Sequence, residues 1–303
     1  MRIATAQYQS NMNKSLQLNQ EHMSNLTQKM ATGKRISVPS DDPVDSVRLS
    51  RLQREEAAIG QYRDNIASIK IRLSKNEGYL GSMVNDISAG RDQIVWALDG
   101  SNTRDDLQAM IKPLEALRDG LLFSANSVDQ EGRYVFSGTK TATAPMAYDA
   151  AAPAGSRYSY AGNTNEQRVV VGNGLTQVAN DNVQGIEKLL NRLDKTIALL
   201  GSANLNVNDP ATRAVLEDNL SGFDEALDLV SSKIAILGGK QNILDTLDAN
   251  HANVSLSNQM AITDIGQLDM GVAATELNGY STALQATYKA YSRIGTLSLF
   301  SAL

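Results

Sequence analysis

The sequence predicts a mainly α protein: a long antiparallel helical rod or coiled coil formed by the N- and C-terminal segments, with a small β-rich domain inserted between them. Three observations carry this. Leu52, Ile59, Ile66, Leu73, Leu80, Ile87 and Ile94 recur every seventh residue, the period that keeps one seam of a helix turned toward a partner helix. Helical spacing runs inward from both ends and gives way in the middle to a β-branched, glycine-punctuated stretch. Aromatic content is only 5%, so Leu, Ile, Val, Met and Ala must supply the core, a mixture suited to helix seams.

The elements follow in order. A first helix over about 5–30 places Met12, Leu16, Met23, Leu26 and Met30 on one stripe, with Asn19 as a polar interruption. The stripe fails at Gly33, and Pro39-Ser40-Asp41-Asp42-Pro43 marks a loop that ends in a helix start. Asp42 serves as N-cap and Pro43 as the first helical residue. No proline falls between Pro43 and Pro113, so a helix of roughly 80 Å is sterically allowed at 1.5 Å per residue. Thr103-Arg104-Asp105-Asp106 has capping-box spacing into a third helix that carries Leu107, Met110, Leu114, Leu117, Leu121 and Val128, with a kink at Pro113.

Strand composition appears at Arg133–Gly138, Tyr158–Gly162 and Arg168–Gly174, with a low-complexity Ala/Pro separator over 141–155. Gly172-Asn173-Gly174 reads as a hairpin turn. Helical spacing resumes with Ile186, Leu190, Leu193, Ile197 and Leu200. After Asp209-Pro210, Leu216, Leu220, Phe223, Leu227, Val230, Ile234 and Leu237 keep an alternating 4-3 spacing, which a three-residue step from Leu244 to Leu247 resets. Val254, Ala261, Ile265, Leu268 and Val272 then continue the stripe, with His251 and Asn258 on the same seam. The expected organisation is terminal arms over 1–42 and 265–303, a discontinuous helical rod over 43–130 and 183–264, and a β-rich outer domain over 131–182.

Charge and composition narrow the function. A net charge of −5 argues against a nucleic-acid partner, which favours a concentrated basic face. No run of about 18 apolar residues predicts a membrane span, and Met1-Arg2-Ile3-Ala4-Thr5 lacks the apolar core of a cleavable secretory signal. The absence of cysteine leaves no disulfide or thiolate metal site. Residues 1–35 hold Arg2, Lys14, Lys29, Lys34 and Arg35 against Glu21, a balance of +4. Residues 245–303 hold Asp245, Asp248, Asp264, Asp269 and Glu276 against Lys289 and Arg293, a balance of −3. This opposition favours pairing of the ends, within or between subunits. An exposed ion pair contributes only about 0–1 kcal/mol, so the apolar seam must supply most of the adhesion.

Leu26-Thr27-Gln28-Lys29-Met30-Ala31-Thr32-Gly33-Lys34-Arg35-Ile36, followed by Asp41-Asp42-Pro43, resembles the N-terminal signature of the flagellin superfamily. Ala273-Ala274-Thr275-Glu276-Leu277 and Ala283–Tyr291 resemble its C-terminal one. The opening Met1–Thr5, Tyr134-Val135-Phe136-Ser137-Gly138-Thr139-Lys140 and the 158–174 stretch are similar to the hook–filament junction members rather than to filament flagellins. The resemblance implies export through the flagellar type III apparatus to an extracellular flagellum. It implies a homo-oligomeric ring between hook-associated protein 1 and flagellin, with paired terminal helices and a β-domain facing outward. It also implies an export chaperone bound before secretion over about 277–303, and a continuous helix through Gly238-Gly239. Two glycines would otherwise weaken that helix by about 1 kcal/mol each.

The residues expected to matter are therefore those of assembly. The coiled-coil seam comprises Met12, Leu16, Met23, Leu26, Met30, Ile265, Leu268 and Val272. The loop signature is Gly33, Lys34, Arg35, Asp41 and Asp42. The tail, for chaperone or axial contact, is Leu284, Tyr288, Tyr291, Ile294, Leu297, Leu299 and Phe300. Asp41, Asp42 and Asp45 read as loop and cap groups rather than a metal cluster, because no glycine-containing calcium loop or closing Glu follows. His22 and His251 read as helix-surface or seam residues, and Trp96 as packing or an interface anchor. No catalytic, cofactor or metal residue is assigned, since no nucleophile–base or metal-ligand spacing stands out. A filament flagellin and an extracellular coiled-coil adhesin are the competing readings. Arms whose seams lack partners until subunits meet are expected to be disordered in the monomer.

Overall fold

A computed structural model describes residues 2–296 except 204 and 207. Side chains are described from residue 7 to residue 293. The chain divides into two units, residues 60–251 and residues 1–59 with 252–303. Two long helices, α2 (Pro43–Ala97) and α6 (Pro210–Gly266), contribute to both.

Within residues 60–251 the core is a helix seam of mostly apolar residues, with Asn76 and Asn219 buried in it. Ile66, Leu73, Leu80, Ile87 and Ile94 of α2 are all at most 1% exposed, the seven-residue stripe seen in the sequence. On α6 the positions Leu216, Phe223, Val230, Leu237 and Leu244 are likewise buried at seven-residue spacing. The two helices are antiparallel: Arg63 pairs with Asp248 at 2.8 Å, Lys70 with Asp245, and Arg91 with Asp224 at 2.7 Å. At Gly90 a Cβ would stand 2.5 Å from the Phe223 ring and 2.8 Å from Leu117, so this crossing requires the missing side chain. α6 runs unbroken through Gly238-Gly239, where the buried seam on either side outweighs the glycines' entropy.

The remaining elements pack on this pair. α3 (Arg104–Ala109) opens with the expected capping box, Thr103 and Asp106 bonding each other's backbone. The expected single kinked helix is two: the chain turns at Met110, and Pro113 falls in the first turn of α4 (Ile111–Ala125), where a missing N–H does no harm. Leu107, Leu114 and Leu121 are fully buried, but Val128 lies beyond the helix and is exposed. α5 (Ile186–Leu200) buries Ile186, Leu189, Leu190, Leu193 and Leu200.

The insert differs from its reading in one respect. Tyr134-Val135-Phe136 forms no strand; it is held by isolated bridges, Val128 to Tyr134 and Ser137 to Asn182, and Phe136 is buried. The strand is instead β1 (Met146–Tyr148), inside the presumed Ala/Pro separator, paired antiparallel with β2 (Tyr158–Tyr160). β3 (Arg168–Gly172) and β4 (Leu175–Val178) form the expected hairpin, with Gly174 at φ +71°. Composition could not separate a strand from a buried aromatic loop of the same residues.

Residues 1–59 and 252–303 are built differently. α1 (Arg2–Thr32) packs against α7 (Met270–Thr296). The pairing is antiparallel, as the stacking of His22 on Tyr280 (5.4 Å, 11°) and the bond from Gln20 Nε2 to Tyr288 OH (3.3 Å) require. Where α2 meets α6 in this unit the seam turns polar: Ser255 and Asn258 are buried, and Glu56 Oε1 accepts from Ser255 and from Gln259 Nε2 at 3.0 Å. The phase that the Leu244–Leu247 step was expected to reset is kept. His251 and Asn258 hold the seven-residue positions, while Val254 points out and is exposed. His251 and Asn258 stand on the seam as read, and Ser255 takes the inward position between them that was given to Val254. No helix among the described residues is long and apolar enough to cross a membrane.

Candidate assembly surface

The loop between α1 and α2 is the most heavily bonded feature of the terminal unit. α1 stops at Gly33, whose φ of +69° is the left-handed conformation that ends helices and that other residues adopt only with strain. Beyond it the backbone bonds across a break between α6 and α7. Leu268 N donates to Gly33 O at 3.0 Å, Arg35 N donates to Gly266 O at 2.8 Å, and Lys34 bridges to Gln267.

Arg35 ties the same place with its side chain. Nε donates to the Ile265 carbonyl at 2.9 Å, Nη1 to Asp42 Oδ2 at 3.1 Å, and Nη2 to Asp45. The fork of the guanidinium suits this divergent set, which a lysine's single ammonium would not reach. Asp42 caps α2 by accepting from Asp45 N at 3.1 Å, as Asp42-Pro43 predicted. Asp41 Oδ2 accepts from Ser37 N at 2.9 Å and Val38 N at 3.3 Å, and pairs with Lys29 at 3.1 Å. The Ser37 N–H and the Lys29 ammonium hold the Asp41 carboxyl below its ordinary value. The Asp45 N–H and Arg35 do the same for Asp42. Asp45, chiefly, and Asp42 push the Arg35 guanidinium up. The three aspartates thus serve the loop and the cap. Lys34 keeps an exposed side chain.

Placement of the expected seam follows from this break. On α1, Leu26 is buried and Met12, Leu16, Asn19, Met23 and Met30 are half-buried, all on one stripe. Ile265 and Leu268 are half-buried beside the loop. Val272 is not on the seam: it is 55% exposed, and Ala273 takes the inward position at 1%. The reason is local. Residues 267–269 leave the helix, and Asp269 starts a new one by accepting from Gly271 N at 2.8 Å and Val272 N at 3.1 Å, so the count of seven from Ile265 no longer applies. Along α7 the covered stripe is Ala273, Leu277, Tyr280, Leu284 and Thr287, while Tyr288 and Tyr291 are exposed. Ile294 lies in the last turn of α7, its side chain outside the described residues, as are Leu297, Leu299 and Phe300.

The opposition of terminal charge is put to local use. Lys29 and Arg35, two of the five cations of residues 1–35, form their ion pairs with Asp41, Asp42 and Asp45 rather than with the acids of residues 245–303. Sequence reasoning also missed an exposed apolar group in this unit: Val44 (78% exposed), Val47, Leu256 and Met260. Their signal was available, since each is an apolar residue out of phase with the seam of its own helix. Trp96 is also exposed, which favours the interface reading over packing.

The comparisons agree with this architecture. Residues 3–141 match the bacterial flagellin N-terminal helical region. The chain is 29% identical over 99% of both chains to flagellar hook-associated protein 3 of Escherichia coli. It is similar in structure to a protein of Vibrio parahaemolyticus described as flagellar hook-associated, at 33% identity and a TM-score of 0.68, covering 75% of this chain and 100% of that one. It shares the fold of the flagellar junction protein of Legionella pneumophila at 16% identity and a TM-score of 0.59, covering 72% of this chain and 100% of that one. The chain belongs to the flagellar hook-associated proteins.

Proposed function

We propose that this protein is a structural adaptor of the bacterial flagellum. It assembles as a ring at the hook–filament junction, meeting hook-associated protein 1 on one side and flagellin on the other. The observation that carries the reading is the state of the terminal unit. Its two arms are paired and its loop is closely bonded, yet most of its seam is only half-buried and apolar residues stand outside it. A surface of this kind calls for neighbours. The likeness to hook-associated protein 3 along nearly the whole of both chains supports neighbours within the flagellum.

In this reading the arms, residues 1–42 and 265–303, contact sister subunits and axial neighbours. The helical rod is formed by 43–130 with 183–264, and the β-rich part, 131–182, faces outward. Tyr288, Tyr291 and the uncharged tail over 294–303 serve axial contact, and an export chaperone before secretion. The arms find each other within one chain, so the expected monomer disorder becomes a narrower statement: their pairing is marginal until assembly covers the second face. Circular dichroism and limited proteolysis of the monomer test it, and arms as resistant as residues 60–251 would overturn it.

A strain lacking this protein should carry hooks without filaments and release flagellin into the medium. Filaments of normal length in that strain would rule the reading out. Removing residues 294–303 should block incorporation while leaving the seam of residues 60–251 folded.

A further inference from the structure

The hairpin turn that joins β3 to β4 has a chemistry that assembly does not use. Gly172 pairs with Leu175, leaving Asn173 and Gly174 as the two-residue connection. Both are exposed. Gly174 sits at φ +71° with open space where a side chain would be. Neither the Asn173 amide nor the Gly174 N–H takes part in a hydrogen bond among the described residues. A carboxamide one methylene from the backbone, free to turn, therefore lies next to an unbonded and unshielded backbone nitrogen.

The same dipeptide occurs once more, as Asn278-Gly279, and there the circumstances are opposite. It lies in the interior of α7, where the Gly279 N–H is committed to the carbonyl four residues back and the helical backbone holds it away from the side chain.

We infer that Asn173-Gly174 is a self-modifying site at which the asparagine amide is lost to the adjoining backbone nitrogen. Gly174 N attacks Asn173 Cγ; the new N–C bond forms as the Cγ–Nδ2 bond breaks, and ammonia departs with the proton that Gly174 N gives up. Water then opens the resulting five-membered imide at either carbonyl. One product is aspartate and the other is isoaspartate, whose backbone carries the extra methylene. No oxidant or reductant takes part.

The position makes the change consequential. β3 is held to the helices by its own carbonyls: Asn65 Nδ2 donates to Val170 O, and His251 Nε2 bonds Val171 O, both at 2.8 Å. Leu175 and Thr176, at the start of β4, are exposed. An added methylene and a new negative charge in the turn therefore act on β4, loosening the outer strand while the inner one stays docked. Register in a two-residue hairpin depends on the length of its connection.

The test is to age the purified full-length protein at mildly alkaline pH and follow both dipeptides by peptide mapping with mass spectrometry and isoaspartate detection. The same should be done in concentrated urea. In urea the two sites should convert at similar rates. In the native protein Asn173 should convert ahead of Asn278, with isoaspartate among the products, and Asn173→Gln, whose ring closure would be six-membered, should abolish the signal at that peptide. Native Asn173 that stays intact, or that converts no faster than Asn278, would overturn the inference.

Discussion

Residues 60–251 and the terminal unit use the same helices to different ends. In the first, α2 and α6 present Leu73, Leu80, Ile87, Leu237 and Leu244 with no exposed surface at all. In the second, the continuation of that seam carries Glu56, Ser255 and Asn258, and the pairing of α1 with α7 leaves its methionines half in solvent. The first seam is buried throughout within one chain, its polar residues Asn76 and Asn219 included. The second is covered less completely, the stripe of α1 being half-buried at every position but Leu26. The difference teaches that burial is complete in the middle of the sequence and partial at its ends, which is where the proposed function puts the contacts with neighbours.

The largest expected effect lies in the fully buried seam of residues 60–251. Phe223→Ala should destabilise residues 60–251 by about 3–5 kcal/mol, whereas Met23→Ala on the half-exposed stripe should cost about 1 kcal/mol. Thermal unfolding of both variants measures the contrast, and equal losses would erase it. Gly90→Ala should come next. Its Cβ would stand 2.5 Å from the Phe223 ring, and overpacking of this kind costs about 1–3 kcal/mol.

Arg35→Ala sharpens the comparison from the other side. Its side chain is 40% exposed, so global stability should fall by about 1 kcal/mol or less. The loop over 33–42 should nonetheless become a protease site, and incorporation into flagella should fail. A variant that assembles normally would remove the loop from the adhesive surface.

The smallest effect is with acid. Asp41 and Asp42 have folded values below the ordinary 3.8, so each binds its proton less readily when folded. Their contribution is complete above 3.8 and is lost as pH falls through the depressed values. Hydrogen exchange over 37–45 should rise in that window, ahead of exchange in the seam of residues 60–251. Simultaneous loss would mean that the two regions unfold together.

Much of this was legible in the residues themselves. The seven-residue stripe of α2, the cap at Asp42-Pro43, the capping box at Thr103, the hairpin at Asn173-Gly174 and the α1 stripe through Asn19 are local patterns, and each stands where its spacing put it. The misses have separate causes. Val272 left the seam because three residues of loop restarted the helix after Ile265. Val254 was misplaced because the step to Leu247 was read as a new phase, whereas the seam runs on through His251, Ser255 and Asn258. Phe136 was read as strand because a buried loop and a strand draw on the same residues.

The sequence by itself determined which segments are helical and which faces are apolar, because a 3.6-residue turn imposes its period on side chains wherever backbone hydrogen bonds are satisfied locally. Only the tertiary structure decided where a helix stops and restarts. At Gly33, Arg35 and Leu268 those ends are held by bonds to residues more than two hundred positions away, and no local pattern carries information about a partner that distant.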